Sequence, residues 1–296
     1  MKKRLFIAVA GLLALVLLLV VVVTPKLEPD PPLPVPNGYD DFVKAAAMID
    51  RSPPDWWSMK GNELHEALTA LASTNQAAIE LVRVGLTKEC RMAPWDDSNG
   101  AGQRMNDLAA SKALAQAMNA TSKLALMEGR TNEAAALAAD CIQYGTKFAR
   151  GGVLIDQLVG VANNNIGLRA LKDALPGMTA QQAREVITHL EEVVAQSEPY
   201  EVIITRERRW ARLGRFGQQG LFSRLLYPIL TRKALSKARP KFLQRDTDIL
   251  RMQIQLAAHA FALEQGKPPA SASELVPRYL KSVPVDPATG TELPLN

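Results

Sequence analysis

From Leu5 to Val23 the chain reads LFIAVAGLLALVLLLVVVV, nineteen residues without a charge or a strong hydrogen-bonding side chain. At about 1.5 Å of rise per residue, a helix of that length spans roughly 28 Å, close to the hydrocarbon thickness of a bilayer. Lys2, Lys3 and Arg4 stand on its N-terminal flank. Basic residues there hold that end in the cytoplasm and send the rest of the chain across. A cleaved signal peptide would carry a shorter apolar core, about 7–15 residues, followed by small residues at the cleavage site. Here the run ends Val22-Val23-Thr24-Pro25, and no cysteine follows for a lipid anchor. The expectation is a single-pass transmembrane helix over 5–23, embedded in the lipid bilayer behind a basic cytoplasmic flank at 1–4. The body then lies outside the cytoplasm.

Residues 24–38 form the next segment, TPKLEPDPPLPVPNG, with six prolines. Proline lacks the amide hydrogen and fixes φ, so the stretch favours extended polyproline II over helix. At about 3.1 Å per residue its first thirteen residues reach roughly 40 Å, a stalk that holds the body away from the anchor.

Beyond the stalk the apolar period is helical. Aromatics make up 5% of the chain and Ala and Leu are abundant, which favours close-packed helices over sheet. NELHEALTALASTNQAAIELVRVGL places Leu64, Leu68, Leu71, Ala78, Leu81 and Val82 near one stripe. Further helical stretches follow a polar break at 94–102, and Thr179 is placed to cap TAQQAREVITHLEEVVAQ. The fold expected is all-α: a transmembrane helix, a Pro-rich stalk, an antiparallel helical bundle over 39–265 and a short irregular tail over 266–296.

Few residues carry the signature of chemistry. His65, His189 and His259 form no H-x-x-x-H or H-E-x-x-H pattern. No C-x-x-C, G-x-S-x-G, phosphate-binding loop or dinucleotide fingerprint occurs. No catalytic, metal-binding or cofactor-binding residue is therefore expected. Cys90 and Cys141 are the only cysteines. Outside the cytoplasm an even count fits a disulfide, which would close a loop of about 51 residues at roughly 4 kcal/mol. Two buried thiols packing as small hydrophobes fit equally well. Asp156 interrupts the apolar VLIDQLVGVANNNIG, with Asn163 two turns on along the same face. The expectation is a buried polar network shared by both, in which Asp156→Asn is mild and Asp156→Leu severe. A hydrolytic site near Asp156 is the weaker alternative.

Charge is concentrated late in the chain. Residues 206–251 hold thirteen basic and three acidic residues, a local charge of +10 within a chain of net +5. Arg206, Arg208, Arg209, Arg212, Arg215, Arg224, Arg232 and Lys233 alternate there with Trp210, Phe216, Phe222 and several leucines. Such a segment suits an anionic membrane surface or an acidic protein. Nucleic acid is not expected outside the cytoplasm.

Two local patterns resemble known families. LALMEGRTNEAAALAADCIQYG, with Ala125, Gly129 and Glu133-Ala134, resembles one tetratricopeptide-repeat hairpin, which implies closely packed antiparallel helices. The tail, through Gly266, Pro269, Ser271, Glu274-Leu275-Val276-Pro277, Tyr279-Leu280, Pro284, Asp286-Pro287 and Gly290, resembles the C-terminal part of type II secretion pseudopilins. The prepilin cleavage site and the continuous N-terminal helix of those proteins are missing, so the resemblance implies a structural cap. In it Tyr279, Leu280 and Val283 fold back on the preceding helix. The layout of 39–296 is similar to a group of bacterial membrane-anchored helical proteins with this tail, which implies the bacterial inner membrane and no particular activity. Taken together, the sequence points to a non-catalytic, membrane-anchored scaffold or protein-interaction module. An accessory component of a secretion or pilus-like assembly is the alternative.

Overall fold

Alanine- and leucine-rich segments with helical spacing should bury one stripe each and leave the opposite face polar. The computed structural model, which describes residues 30–49, 55–95, 100–215, 226–227 and 229–295, shows that outcome in the outer helices, while residues 134–149 are buried on nearly every face. The expected anchor at 5–23, residues 24–29 of the stalk and Arg224 lie outside the described residues. No helix among the described residues is long and apolar enough to cross a membrane.

The described residues are all-α, with eight helices and no strand. They are α1 (Gly38–Met48), α2 (Gly61–Leu86), α3 (Gly100–Met127), α4 (Thr131–Ala149), α5 (Leu154–Ala174), α6 (Ala180–Gln196), α7 (Tyr200–Arg212) and α8 (Arg232–Gln265). Caps are written into the sequence. The Asn37 side chain accepts from the Tyr39 amide at the start of α1, and also holds both the amide and the carbonyl of Arg91. Thr179 and Gln182 form a reciprocal capping box at the start of α6, as the sequence predicts.

Helices α3 and α4 form an antiparallel hairpin. Ser122 Oγ donates to the Ala134 carbonyl near the turn, and Tyr144 Oη donates to Ser111 Oγ further away. The turn needs Gly129, whose φ of 74° lies in the left-handed region that side chains disfavour. Helix α5 then lies against α4 at backbone contact. A Cβ added to Gly145 would stand 2.6 Å from the Gly160 carbonyl oxygen, and one on Gly160 would stand 2.6 Å from that of Gly145. Any side chain at either position would force the two helices apart.

The helices fall into two layers. Helix α5 packs on both α3 and α8 in one layer, while α4 packs on α2 and α6 in the other. Two large apolar clusters result. One joins α1–α4 through Phe42, Leu114, Met118 and Phe148, and the other joins α4, α5, α6, α8 and the tail through Ile142, Leu171, Leu190 and Leu256.

The tail is built as a cap. Gly266 ends α8 in the left-handed conformation, and a 3-10 turn at Ala272–Leu275 leads into the fold-back. Leu275, Tyr279, Leu280 and Leu293 are buried in the second cluster, while Val283 is half-buried. Tyr279 packs 5.6 Å from Phe261, and its hydroxyl donates to Glu264 at 2.8 Å. The D-P-x-T-G turn closes through Gly290 N to Asp286 O at 2.8 Å. Thr247 of α8 anchors it by donating to Asp286 at 3.0 Å.

Candidate functional site

Stacking α3, α5 and α8 side by side leaves a concave surface on their common layer. A cleft of about 870 Å³ runs across it. Its floor is apolar, from Ile166 and Leu168 of α5 and Met252 of α8. Its walls are polar stripes at helical spacing. Helix α3 contributes Lys112, Gln116, Asn119 and Lys123, which are i, i+4, i+7 and i+11 and so share one face. Helix α5 contributes Asn165, Arg169, Lys172 and Asp173, and α8 contributes Asp248, Arg251 and Gln255. At one end the rings of Trp56 and Trp57 stack with centroids 4.7 Å apart, Trp56 buried and Trp57 56% exposed.

The cleft has an excess of cations, five basic residues against Asp173 and Asp248. Lys112, Lys123, Arg169 and Lys172 make no ion pair among the described residues, and Arg251 only approaches Asp248 at 3.7 Å. Like charges on opposing walls of a low-dielectric cleft reinforce one another and raise the local potential. Amide side chains between them offer both donors and acceptors. No nucleophile with an adjacent base lines the cleft. Its chemistry is that of holding an extended, negatively charged, partly apolar ligand.

The residues singled out in the sequence lie elsewhere. Asp156 is fully buried at the start of α5. Arg104 of α3 grips it through two bonds of 3.0 and 3.1 Å, and the Val153 amide and the Trp95 indole donate at 2.8 and 3.3 Å. Both oxygens are thus engaged within the fold. Asn163 does not share this network, contrary to expectation. Its side chain donates to Ser111 Oγ, which also accepts from Tyr144. Two turns of helix separate the residues by roughly 10 Å along the axis, too far for a common hydrogen bond.

Two further carboxylates serve the same helix end. Glu207 accepts from the Leu154 amide at 2.9 Å and from Tyr227 at 3.0 Å. Burial raises its pKa above the usual carboxylate range, and those two bonds partly oppose the rise. Glu198 accepts from the Gly151 amide and from Gln157, and pairs with Arg206. Negative charge at a helix N-terminus is favoured by the helix dipole.

Cys90 and Cys141 are free and buried, so the disulfide is not formed. Their sulfurs turn to different backbones: Cys90 to Gly85 and Lys88, Cys141 to Ala115 and Asn163. Burial pushes the thiols up to about 11 and about 12, which suppresses thiolate chemistry at neutral pH.

The basic segment divides. Arg206 is not a surface contact: its guanidinium turns inward to Glu198 and to the Gly152 carbonyl. Arg215 lies over the buried Trp210 ring at 5.5 Å, and Arg209 and Arg212 are half-buried. Arg208, Arg232 and Lys233 are exposed.

The cleft itself escaped the sequence reading. Its signal was present as two polar stripes on α3 and α5. Only their packing side by side makes those stripes converge. No family model, curated protein or solved structure matches the chain.

Proposed function

We propose that this chain is a non-catalytic interaction module that holds an extended acidic segment of a partner protein in the α3–α5–α8 cleft. The observation that carries the reading is the set of four cations without ion pairs, Lys112, Lys123, Arg169 and Lys172, set around an apolar floor. An acidic segment would neutralise them. Its backbone would meet Gln116, Asn119, Asn165 and Gln255, and its apolar side chains would meet Ile166 and Met252. The α3–α4 and α5–α6 hairpins, stacked in two layers, support a tetratricopeptide-like arrangement, in which a concave helical layer presents a peptide groove. The uncharged run at 5–23 supports a bilayer anchor with the body outside the cytoplasm, on the inner membrane of a bacterium. Of the tail residues shared with pseudopilins, Leu275, Tyr279, Leu280 and Pro284 are buried against the body, which favours a cap over a secretion contact.

The test is fluorescence anisotropy of a labelled glutamate-rich peptide titrated with the full chain in mild detergent. Binding is expected to weaken steeply as salt rises. Lys112→Glu with Lys172→Glu should lower affinity by about tenfold or more, since exposed ion pairs contribute up to about 1 kcal/mol each and reversal adds repulsion. Absence of binding at low salt, or binding indifferent to salt and to both substitutions, would overturn the reading.

A further inference from the structure

Helix α8 carries a second cationic surface, on a different part of the molecule from the cleft. Over its first four turns Leu235, Ala238, Phe242 and Arg245 are buried, Ala238 and Phe242 against Val161 of α5 and Ile203 of α7. Arg232, Lys233, Lys237 and Lys241 are exposed. At 100° per residue these four fall within half a turn, centred opposite the buried stripe. None makes an ion pair among the described residues, and no acidic residue lies on that face. Arg239, at its edge, pairs with Glu201.

The same face continues upstream into apolar side chains. Backbone bonds from Thr231 to Tyr227 and from Leu235 to Thr231 carry the helical path through the start of α8. That path sets Ile229 and Leu230 beside Arg232 and Lys233. They are 67% and 75% exposed, the most open of the large hydrophobic residues in the described body after Val35. Two exposed aliphatic residues thus adjoin four cations that make no ion pair among the described residues.

We propose that this face, Ile229, Leu230, Arg232, Lys233, Lys237 and Lys241, docks on an anionic lipid bilayer. The cations meet lipid phosphates, and Ile229 and Leu230 enter the boundary between head groups and acyl chains. Because the opposite side of α8 is locked in the body, the helix lies on the surface and does not insert. Charge complementarity selects this occupant: the face offers cations beside an exposed aliphatic edge. Docking here does not depend on what the cleft holds.

The experiment is hydrogen exchange of the full chain in phosphatidylcholine nanodiscs with and without phosphatidylglycerol. Exchange over 229–241 is expected to slow about tenfold in the anionic discs and to recover at high salt, as for other polybasic surfaces. Lys233→Glu with Lys237→Glu and Lys241→Glu should abolish the slowing without changing the melting temperature, since all three side chains are exposed. The cleft variant Lys112→Glu with Lys172→Glu should keep it, so failure of docking and failure of the cleft reading are separable. Equal exchange in both discs, or slowing that survives the charge reversals, would overturn the proposal. An acidic protein as the true partner would appear as equal exchange in both discs.

Discussion

Helix α5 carries charge in two ways along one length. At its first turn Asp156 is fully buried and every oxygen has a donor. Three to four turns later Arg169 and Lys172 stand at the cleft with no ion pair among the described residues. Folding alone explains the first arrangement: a buried charge without partners would cost several kcal/mol. It does not explain the second. Lys112, Lys123, Arg169 and Lys172 line one cleft and make no ion pair among the described residues. Charge that is satisfied internally belongs to stability, and the convergent charge of the cleft is what the proposed acidic ligand would neutralise.

The sharpest way to break that division is at Asp156. Asp156→Asn keeps the shape but removes the charge facing Arg104 and turns an amide donor toward other donors. Breaking one side of a buried ion pair costs about 3–5 kcal/mol. In a body of this size that lowers the melting temperature by roughly 6–12 °C. The mild effect expected from sequence therefore gives way to a severe one, read by thermal denaturation. A shift under about 2 °C would mean that Asp156 is not the keystone of this helix end. The cleft variant Lys112→Glu with Lys172→Glu should melt within about 1 °C of the parent, because surface substitutions away from specific contacts rarely exceed 0.5 kcal/mol. A large loss of stability there would erase the contrast.

How far the sequence speaks follows from the range of each interaction. The Thr179 cap, the Gly129 turn and the end of α8 at Gly266 depend on a few neighbouring residues, and all are readable in advance. The fold-back of Tyr279 and Leu280 is legible too, because apolar residues after a helix stop have one nearby surface to cover. Contacts between distant segments were not. Arg104 lies 52 residues from Asp156, and nothing in VLIDQLVGVA names it as the partner. The same blindness paired Asp156 with Asn163 and left Cys90 and Cys141 undecided. Arg206 looked like surface charge because its partner, Glu198, sits across the Pro199 turn between α6 and α7. The cleft is the extreme case, since it exists only where three helices meet.

A smaller effect sharpens the comparison at Glu264, where charge is paired but lies at the seam between α8 and the tail. The Tyr279 hydroxyl first, then Arg184 and Arg278, hold its carboxyl below the ordinary value, against a smaller opposing effect of desolvation. A carboxylate with a depressed folded pKa contributes stability that is present above its unfolded pKa and lost as pH falls through the folded one. Acidification through that window should speed hydrogen exchange over 275–293 before the body unfolds. Glu264→Gln should show the faster exchange already at neutral pH and respond less to acid. Tail exchange that tracks global unfolding at every pH would place the seam's strength in its apolar contacts instead.

The smallest expected effect asks most directly whether the cleft charges are there for a ligand. Lys123 is half-buried, has no ion pair among the described residues and lines the cleft from α3. Lys123→Met preserves the unbranched chain and its packing while removing a partly desolvated ammonium. If the charge serves only binding, folding stability should stay level or rise by about 0.5 kcal/mol, a common return for relieving such strain. Binding of the glutamate-rich peptide should fall about threefold to fivefold, in line with one lost surface ion pair of up to about 1 kcal/mol. The two readouts then move in opposite directions. A structural lysine would lose stability on substitution and leave peptide affinity unchanged. Opposite movement in one variant separates the two uses of charge more cleanly than a larger loss in either alone.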